Sequence, residues 1–153
     1  MSKLPLLIFG ISLIFLTLLP ISCSASNNDA VNKKVSSQLL TQVNLRKQQL
    51  ANPTPDRLGI MKNMGMRVAN LEIQMIFIHL TQKLSPSQIA ELEAMGITLY
   101  LDSWIPPLEN HPTGFILADM PIDRLEALAA KDYVVKLETA ERQLQPQNTA
   151  QPQ

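Results

Sequence analysis

One cysteine, Cys23, is all that 153 residues contain, so neither an internal disulfide framework nor a Cys-based zinc site can be built. An excess of charge is missing too. Thirteen Lys and Arg balance thirteen Asp and Glu, which leaves no long-range positive field of the kind a general nucleic-acid binder uses to displace counterions. Nucleic acid is therefore not expected as a partner. Aromatic residues are few, with four Phe, two Tyr and one Trp, so a core has to be packed from aliphatic side chains and Met. Glycines are sparse and scattered: Gly59, Gly65 and Gly96 stand alone, form no phosphate-cradling loop, and read as helix punctuation. The two histidines, His79 and His111, have no ligand partner at helical or turn spacing, so no metal site is expected. Asp102, Ser103 and His111 share a proline-rich stretch without the strand-turn-helix setting of a catalytic serine. The expectation is a non-enzymatic chain with no cofactor. Its length allows one modest domain plus extensions.

Long apolar runs are absent but for one, the sixteen residues from Leu4 to Leu19. Lys3 precedes it and the small residues Ser22 to Ala25 follow, the layout of an export signal. Sixteen residues fall short of the roughly 20 that span a bilayer. Residues 1–25 are thus expected to be an address rather than part of the fold, and the working chain to be extracytoplasmic, secreted or lipid-anchored to the envelope. Two processing routes stay open. Cleavage after Ala25 gives a secreted chain starting at Ser26. Alternatively Leu19-Pro20-Ile21-Ser22-Cys23 resembles a bacterial lipobox, departing from it at Pro20, and Cys23 becomes the site of lipidation and the only membrane attachment. Removing the leader takes away Lys3 and leaves a net charge of −1.

In residues 26–65, Val31, Val35, Leu39 and Val43, with Leu40 and Leu50 nearby, follow one helical face, and Asp29 is placed to cap it. Thr54 and Pro55 open a shorter helix with Leu58, Met61 and Met64 inward, which Gly65 stops. From residue 66 the pattern changes to a short strand at Met66 to Val68 and a longer one at Leu71 to Leu80. Ser85-Pro86-Ser87-Gln88 has the spacing of a capping box, and the helix after it carries Ile89, Leu92 and Met95 inward and ends at Gly96. Strands follow at Ile97 to Asp102 and Gly114 to Met120, joined through Trp104, Pro106, Pro107 and Pro112. A helix carrying Leu125 and Leu128 precedes a last strand at Tyr133 to Glu138. The order β-α-β-β-α-β predicts an α+β, ferredoxin-like antiparallel sheet with two helices on one face, preceded by N-terminal helices. Leu92, Leu99, Leu125, Leu128 and Leu137 are expected in the core. Ile73, Met75 and Phe77 alternate with Ile76 and Ile78, so both sheet faces are apolar, unlike a sheet with one solvated face. Ile76, Ile78 and Tyr100 are assigned to the face away from the two helices. There they meet either the N-terminal helices or a partner protein.

The runs SPSQIAELEAMGI at 85–97, GFILA at 114–118, LEALA at 125–129 and VVKLE at 134–138 together resemble the propeptide domain of subtilisin-type serine proteases, over roughly residues 72–144. The resemblance assigns residues 66–144 to a propeptide-like domain and 145–153 to a flexible tail. It implies a protease-binding module, an inhibitor or trans-acting folding chaperone of a subtilisin-like serine protease, docking through its sheet and its C-terminal tail. Family tails lie extended in the active cleft with one apolar side chain in a pocket, which implies Leu144 as that anchor, with Pro146 and Gln147 near the scissile position. The departures are Ala140, where the family often has an acidic residue, and the absence of a protease domain within the 153 residues. A structural or adaptor domain that kept the fold without inhibition is the alternative, and a small-ligand sensor of the same fold lacks any convergent polar set.

Overall fold

The structure, a computed structural model, describes Val31 and residues 33–142. Cys23 and the rest of the leader, the expected Asp29 cap, and Leu144, Pro146 and Gln147 of the tail lie outside the described residues. Helix α1 (Ser37–Ala51) begins at Ser36, whose Oγ accepts the Leu39 N–H at 3.3 Å. The chain is not helical through Val35 and Ser36 because their backbone is used elsewhere: Val35 forms a parallel bridge to Leu137, and the Ser36 N–H donates to the Leu137 carbonyl at 2.9 Å. Helix α2 (Pro55–Asn63) has Thr54 as its cap and Pro at its first position. That placement uses a residue with no N–H where none is needed.

Strand β1 (Ile73–Leu80), helix α3 (Pro86–Ala94), strands β2 (Thr98–Ile105) and β3 (Gly114–Pro121), a 3-10 turn at Ile122–Arg124 running into helix α4 (Leu125–Ala129), and strand β4 (Val134–Thr139) complete the described chain. The four strands form one sheet in the order β2-β3-β1-β4 with every neighbouring pair antiparallel, so the fold is α+β. The capping box of α3 forms as its spacing requires: the Ser85 Oγ accepts the Gln88 N–H at 3.3 Å while the Gln88 Oε1 accepts the Ser85 N–H at 2.9 Å. Gly96 closes this helix with φ +81°, the left-handed conformation that glycine adopts without steric cost. No strand forms at Met66 to Val68, because the Arg67 N–H goes to the Glu141 carboxylate at 2.9 Å instead of a ladder partner. Strand β2 extends past the expected Asp102 to Ile105 through a register shift after Tyr100. The Ser103 Oγ bridges that irregularity, donating to the Tyr100 carbonyl at 2.6 Å and accepting the Leu117 N–H at 2.8 Å.

Helices α1, α3 and α4 share one side of the sheet. Leu39 and Val43 of α1, Leu92 of α3, and Leu125 and Leu128 of α4 are buried in one cluster with Ile76, Ile78 and Leu80 of β1, Ile116, Ala118 and Met120 of β3, and Leu137 of β4. Four of the five expected core leucines are thus fully covered; Leu99, on the edge strand, is half-buried against the same cluster. Two expectations are corrected here. Ile76 and Ile78 are 0% exposed and point to the helices, not away from them. Helix α1 does not cover the second face, because it places Leu39 and Val43 in the cluster that α3 and α4 already share. Side chains alternate strictly along a strand, so once α1, α3 and α4 take the parity of Ile76 and Ile78, the parity of Met75 and Phe77 is left over. On α1 the buried stripe is Leu39, Gln42, Val43, Arg46 and Gln49, whereas Leu50, assigned inward, is 44% exposed. Among the described residues no helix is long and apolar enough to cross a membrane.

Candidate protein-binding face

The uncovered side of the sheet is built from the second parity of β1 and β3. Ile73, Met75, Phe77 and His79 are each half-buried, as are Phe115, Leu117 and Asp119. Pairing aligns these residues across the strands: Phe77 lies opposite Leu117, His79 opposite Phe115 and Met75 opposite Asp119. On one flank β2 adds Tyr100 beside Leu117 and Ile105 beside Phe115. On the other flank β4 adds Glu138 beside Phe77 and Lys136 beside His79. The middle of the face is aromatic and aliphatic, with the Phe77 and Phe115 rings meeting edge to face at 5.2 Å between centroids, a favoured quadrupolar arrangement.

Charged pairs stand at the two ends of this strip, Asp119 with Arg67 at one and Glu138 with Lys136 and His79 at the other. At one end the Arg67 Nη2 donates to Asp119 Oδ1 at 2.5 Å and the Tyr100 hydroxyl donates to Asp119 Oδ2 at 2.8 Å. That bond to Asp119 raises the Tyr100 pKa above its ordinary value. At the other end Glu138 is met by Lys136 at 2.8 Å and by the His79 Nε2 at 2.9 Å. The Lys136 hydrogen bond holds the Glu138 carboxyl below the usual glutamate value against an opposing penalty from burial, and His79 adds to the lowering. Shallow hollows lie along the face. One of about 190 Å³ is lined by Phe77, His79, Phe115, Glu138 and Arg142, and a larger one of about 440 Å³ opens between His79, Ile105, His111 and Lys136.

Such an arrangement offers contact area with two fixed, internally neutralised polar ends. Among the described residues no three His, Cys, Asp or Glu side chains assemble as a metal-ligand set. The His79 Nε2 engages Glu138, and the Ser103 Oγ is engaged by the backbone of Tyr100 and Leu117.

Of the residues assigned to the binding face, Tyr100 is on it and 39% exposed. Ile76 and Ile78 are removed from it by their burial, and Met75, Phe77, Phe115 and Leu117 take their place. The signal that sorts the parities was in the sequence: His79 on β1 and Asp119 on β3 share a face with Phe77 and Leu117, and ionisable side chains mark the solvated side of an antiparallel sheet. A second set of residues was not singled out at all. Arg46, Gln42, Gln74, Thr139 and Glu141 are buried together at the edge of the sheet, where Glu141 receives Arg46 at 2.6 Å and the Arg67 side chain at 3.2 Å. Comparison with known proteins adds no relative: no family model, no curated protein and no solved structure matches the chain.

Proposed function

We propose that this chain is a non-enzymatic, exported protease-binding module, an inhibitor or trans-acting folding chaperone of a subtilisin-like serine protease, on a ferredoxin-like β-α-β-β-α-β fold. The strand order β2-β3-β1-β4 with antiparallel neighbours supports that fold, in which each helix returns the chain across the sheet and a second strand is inserted between the ends of each split β-α-β unit. The observation that carries the functional reading is the apolar sheet face of Met75, Phe77, Phe115 and Leu117, which helices α1, α3 and α4 leave uncovered. Docking this face against a protease surface removes exposed apolar area from water, and the chain beyond Arg142, with Leu144, Pro146 and Gln147, is then the segment to enter the cleft. Export is assigned to residues 1–25, with Cys23 as the lipid-anchor candidate.

The test is inhibition of subtilisin by the full chain, followed for Phe77→Ser and Tyr100→Ala. Both residues are on the uncovered face, so their replacement weakens binding while the fold persists. Inhibition unaffected by either change removes the face from the mechanism. The second reading, an adaptor domain that kept the fold without inhibition, draws on the internal pairing of Asp119 and Glu138. Their charges are already satisfied, so the face offers a partner area rather than charge contacts. Absence of inhibition by the full chain selects this second reading.

A further inference from the structure

The buried polar cluster at the sheet edge joins the first described helix to the last described residues. Arg46 is 0% exposed and uses all three of its nitrogens: Nε donates to Gln74 Oε1 at 2.8 Å, Nη1 to the Asn70 carbonyl at 2.9 Å, and Nη2 to Glu141 Oε2 at 2.6 Å. The Glu141 carboxylate accepts four hydrogen bonds in all, from Arg46, from the Arg67 backbone N–H, from the Arg67 Nε and, at 3.1 Å, from the Met75 backbone N–H. One turn earlier on α1, the Gln42 Nε2 donates to the Glu141 carbonyl at 2.9 Å, and its Oε1 meets the Thr139 hydroxyl and the Gln74 amide. The Ala140 N–H donates to the Met75 carbonyl at 3.1 Å. Strand β4 has ended at Thr139, so the Glu141 side chain replaces it as the partner of β1 at Met75.

A pair of apolar side chains in this space would hold α1 against the sheet about as well, since a buried ion pair seldom adds stability over hydrophobic packing. An ion pair with every donor and acceptor matched does something packing does not: it selects one position of the backbone it holds. The backbone held is that of Thr139 to Glu141, and the next residue, Arg142, lines the hollow beside Phe77 and Phe115. We infer that Arg46 is a positioning residue for the root of the C-terminal tail: with Gln42 and Glu141 it fixes the backbone of Thr139 to Glu141, from which the tail departs, at the border of the uncovered face. The tail's role in inhibition rests on the function proposed above; the fixing of its root does not. Holding the root removes an ordering cost and raises the effective concentration of the tail for its cleft once the face has docked.

Amide hydrogen exchange on the full chain separates this from a purely structural role, read at Met75, Ala140 and Glu141 against Ile78 and Ile116 in the core. In Arg46→Met, exchange at the root is expected to rise at least tenfold more than in the core. Arg67→Ala provides a second variant that leaves the fold intact, because that side chain is 45% exposed. It removes one hydrogen bond to Glu141 and is expected to raise root exchange by a smaller factor. If root and core rise together in Arg46→Met, and Arg67→Ala changes nothing at the root, the clamp is refuted. Inhibition of subtilisin by Arg46→Met, measured where the variant is fully folded, is expected to weaken at least tenfold. Unchanged inhibition overturns the positioning role, whereas a wild-type chain that inhibits nothing overturns the protease reading and leaves the exchange result standing.

Discussion

Phe77 and Ile78 are chain neighbours on opposite faces of one strand, and replacing each by Ala gives opposite results in two assays. Ile78 is 0% exposed and sits among the side chains of the helix-covered core. Its truncation removes buried methyl and methylene groups and leaves a cavity, a loss of about 2–5 kcal/mol. For a domain of this size that corresponds to roughly 10–20 °C in melting temperature. Phe77 is half-buried and loses mainly its edge-to-face contact with Phe115, a pair term of about 0.5–1.5 kcal/mol with a partial burial term beside it. Phe77→Ala is therefore expected to cost about 1–2 kcal/mol, clearly less than Ile78→Ala. In binding the order reverses. An apolar anchor transferred from water into an interface is worth about 1.5–3 kcal/mol, so Phe77→Ala weakens protease inhibition ten-fold or more, whereas the folded fraction of Ile78→Ala binds as the wild type does. Thermal melts supply the first comparison and inhibition titrations at a temperature where both variants are folded supply the second. Equal destabilisation by the two substitutions would refute the assignment of faces, because it would mean that Phe77 is covered as fully as Ile78.

Gly114→Ala is expected to destabilise the β2-β3 connection by more than 1 kcal/mol in denaturant melts, since an added Cβ would fall into the Ile105 carbonyl and lie 2.6 Å from the Trp104 ring. Glu138 has a folded-state pKa below its unfolded value. Its contribution is therefore full above the unfolded pKa and is lost as pH falls through the folded one, and Glu138→Gln should flatten the acid limb of a stability-against-pH curve just below the ordinary glutamate range. If Cys23 carries a lipid, Cys23→Ala shifts the protein from the membrane fraction to the medium, and unchanged fractionation with a mature N-terminus at Ser26 selects the secreted route.

Features set by neighbours in sequence were the ones legible without a structure. Ser85 and Gln88 need only each other and the first turn of α3 to form their capping box, and Gly96 needs only the end of that helix to adopt its positive φ. The sequence of strands and helices after residue 71 was readable for the same reason, since each element carries its own period and its own punctuation. The choice of face was not local. Ile73, Met75 and Phe77 are as apolar as Ile76 and Ile78, and His79 on one parity of β1 is offset by Gln74 on the other, so β1 alone favours neither and the helices decide it by packing. The deciding residues lie on different strands: Ala118 and Gly114 of β3 share the helix side with Ile76 and Ile78, while Asp119 shares the open side with Met75. Reading parity across paired strands, rather than along one, is what would have placed Phe77 outward.

The first helix shows the opposite failure, in which polarity concealed burial. Leu39, Gln42, Val43, Arg46 and Gln49 form a continuous helical stripe, and all five are buried; a reading that admits only apolar residues to the stripe keeps Leu39 and Val43 and substitutes Leu40 and Leu50. What lets Arg46 and Gln42 be buried is matched chemistry far along the chain. Gln74, Thr139 and Glu141 lie 28 to 99 residues away in the partner separations, and among the described residues no buried side-chain nitrogen or oxygen is left without a hydrogen bond. Burial lowers the Arg46 pKa, with Glu141 opposing that shift by its charge and its hydrogen bond. Removing Glu141 therefore leaves a cation with its desolvation uncompensated, which is costlier than removing both partners together. Helix α1 is held to the sheet partly by aliphatic packing and partly by this satisfied network. The segment Val35 to Arg46 is consequently tied to the end of the sheet at two places, at Leu137 through Val35 and Ser36 and at Glu141 through Arg46.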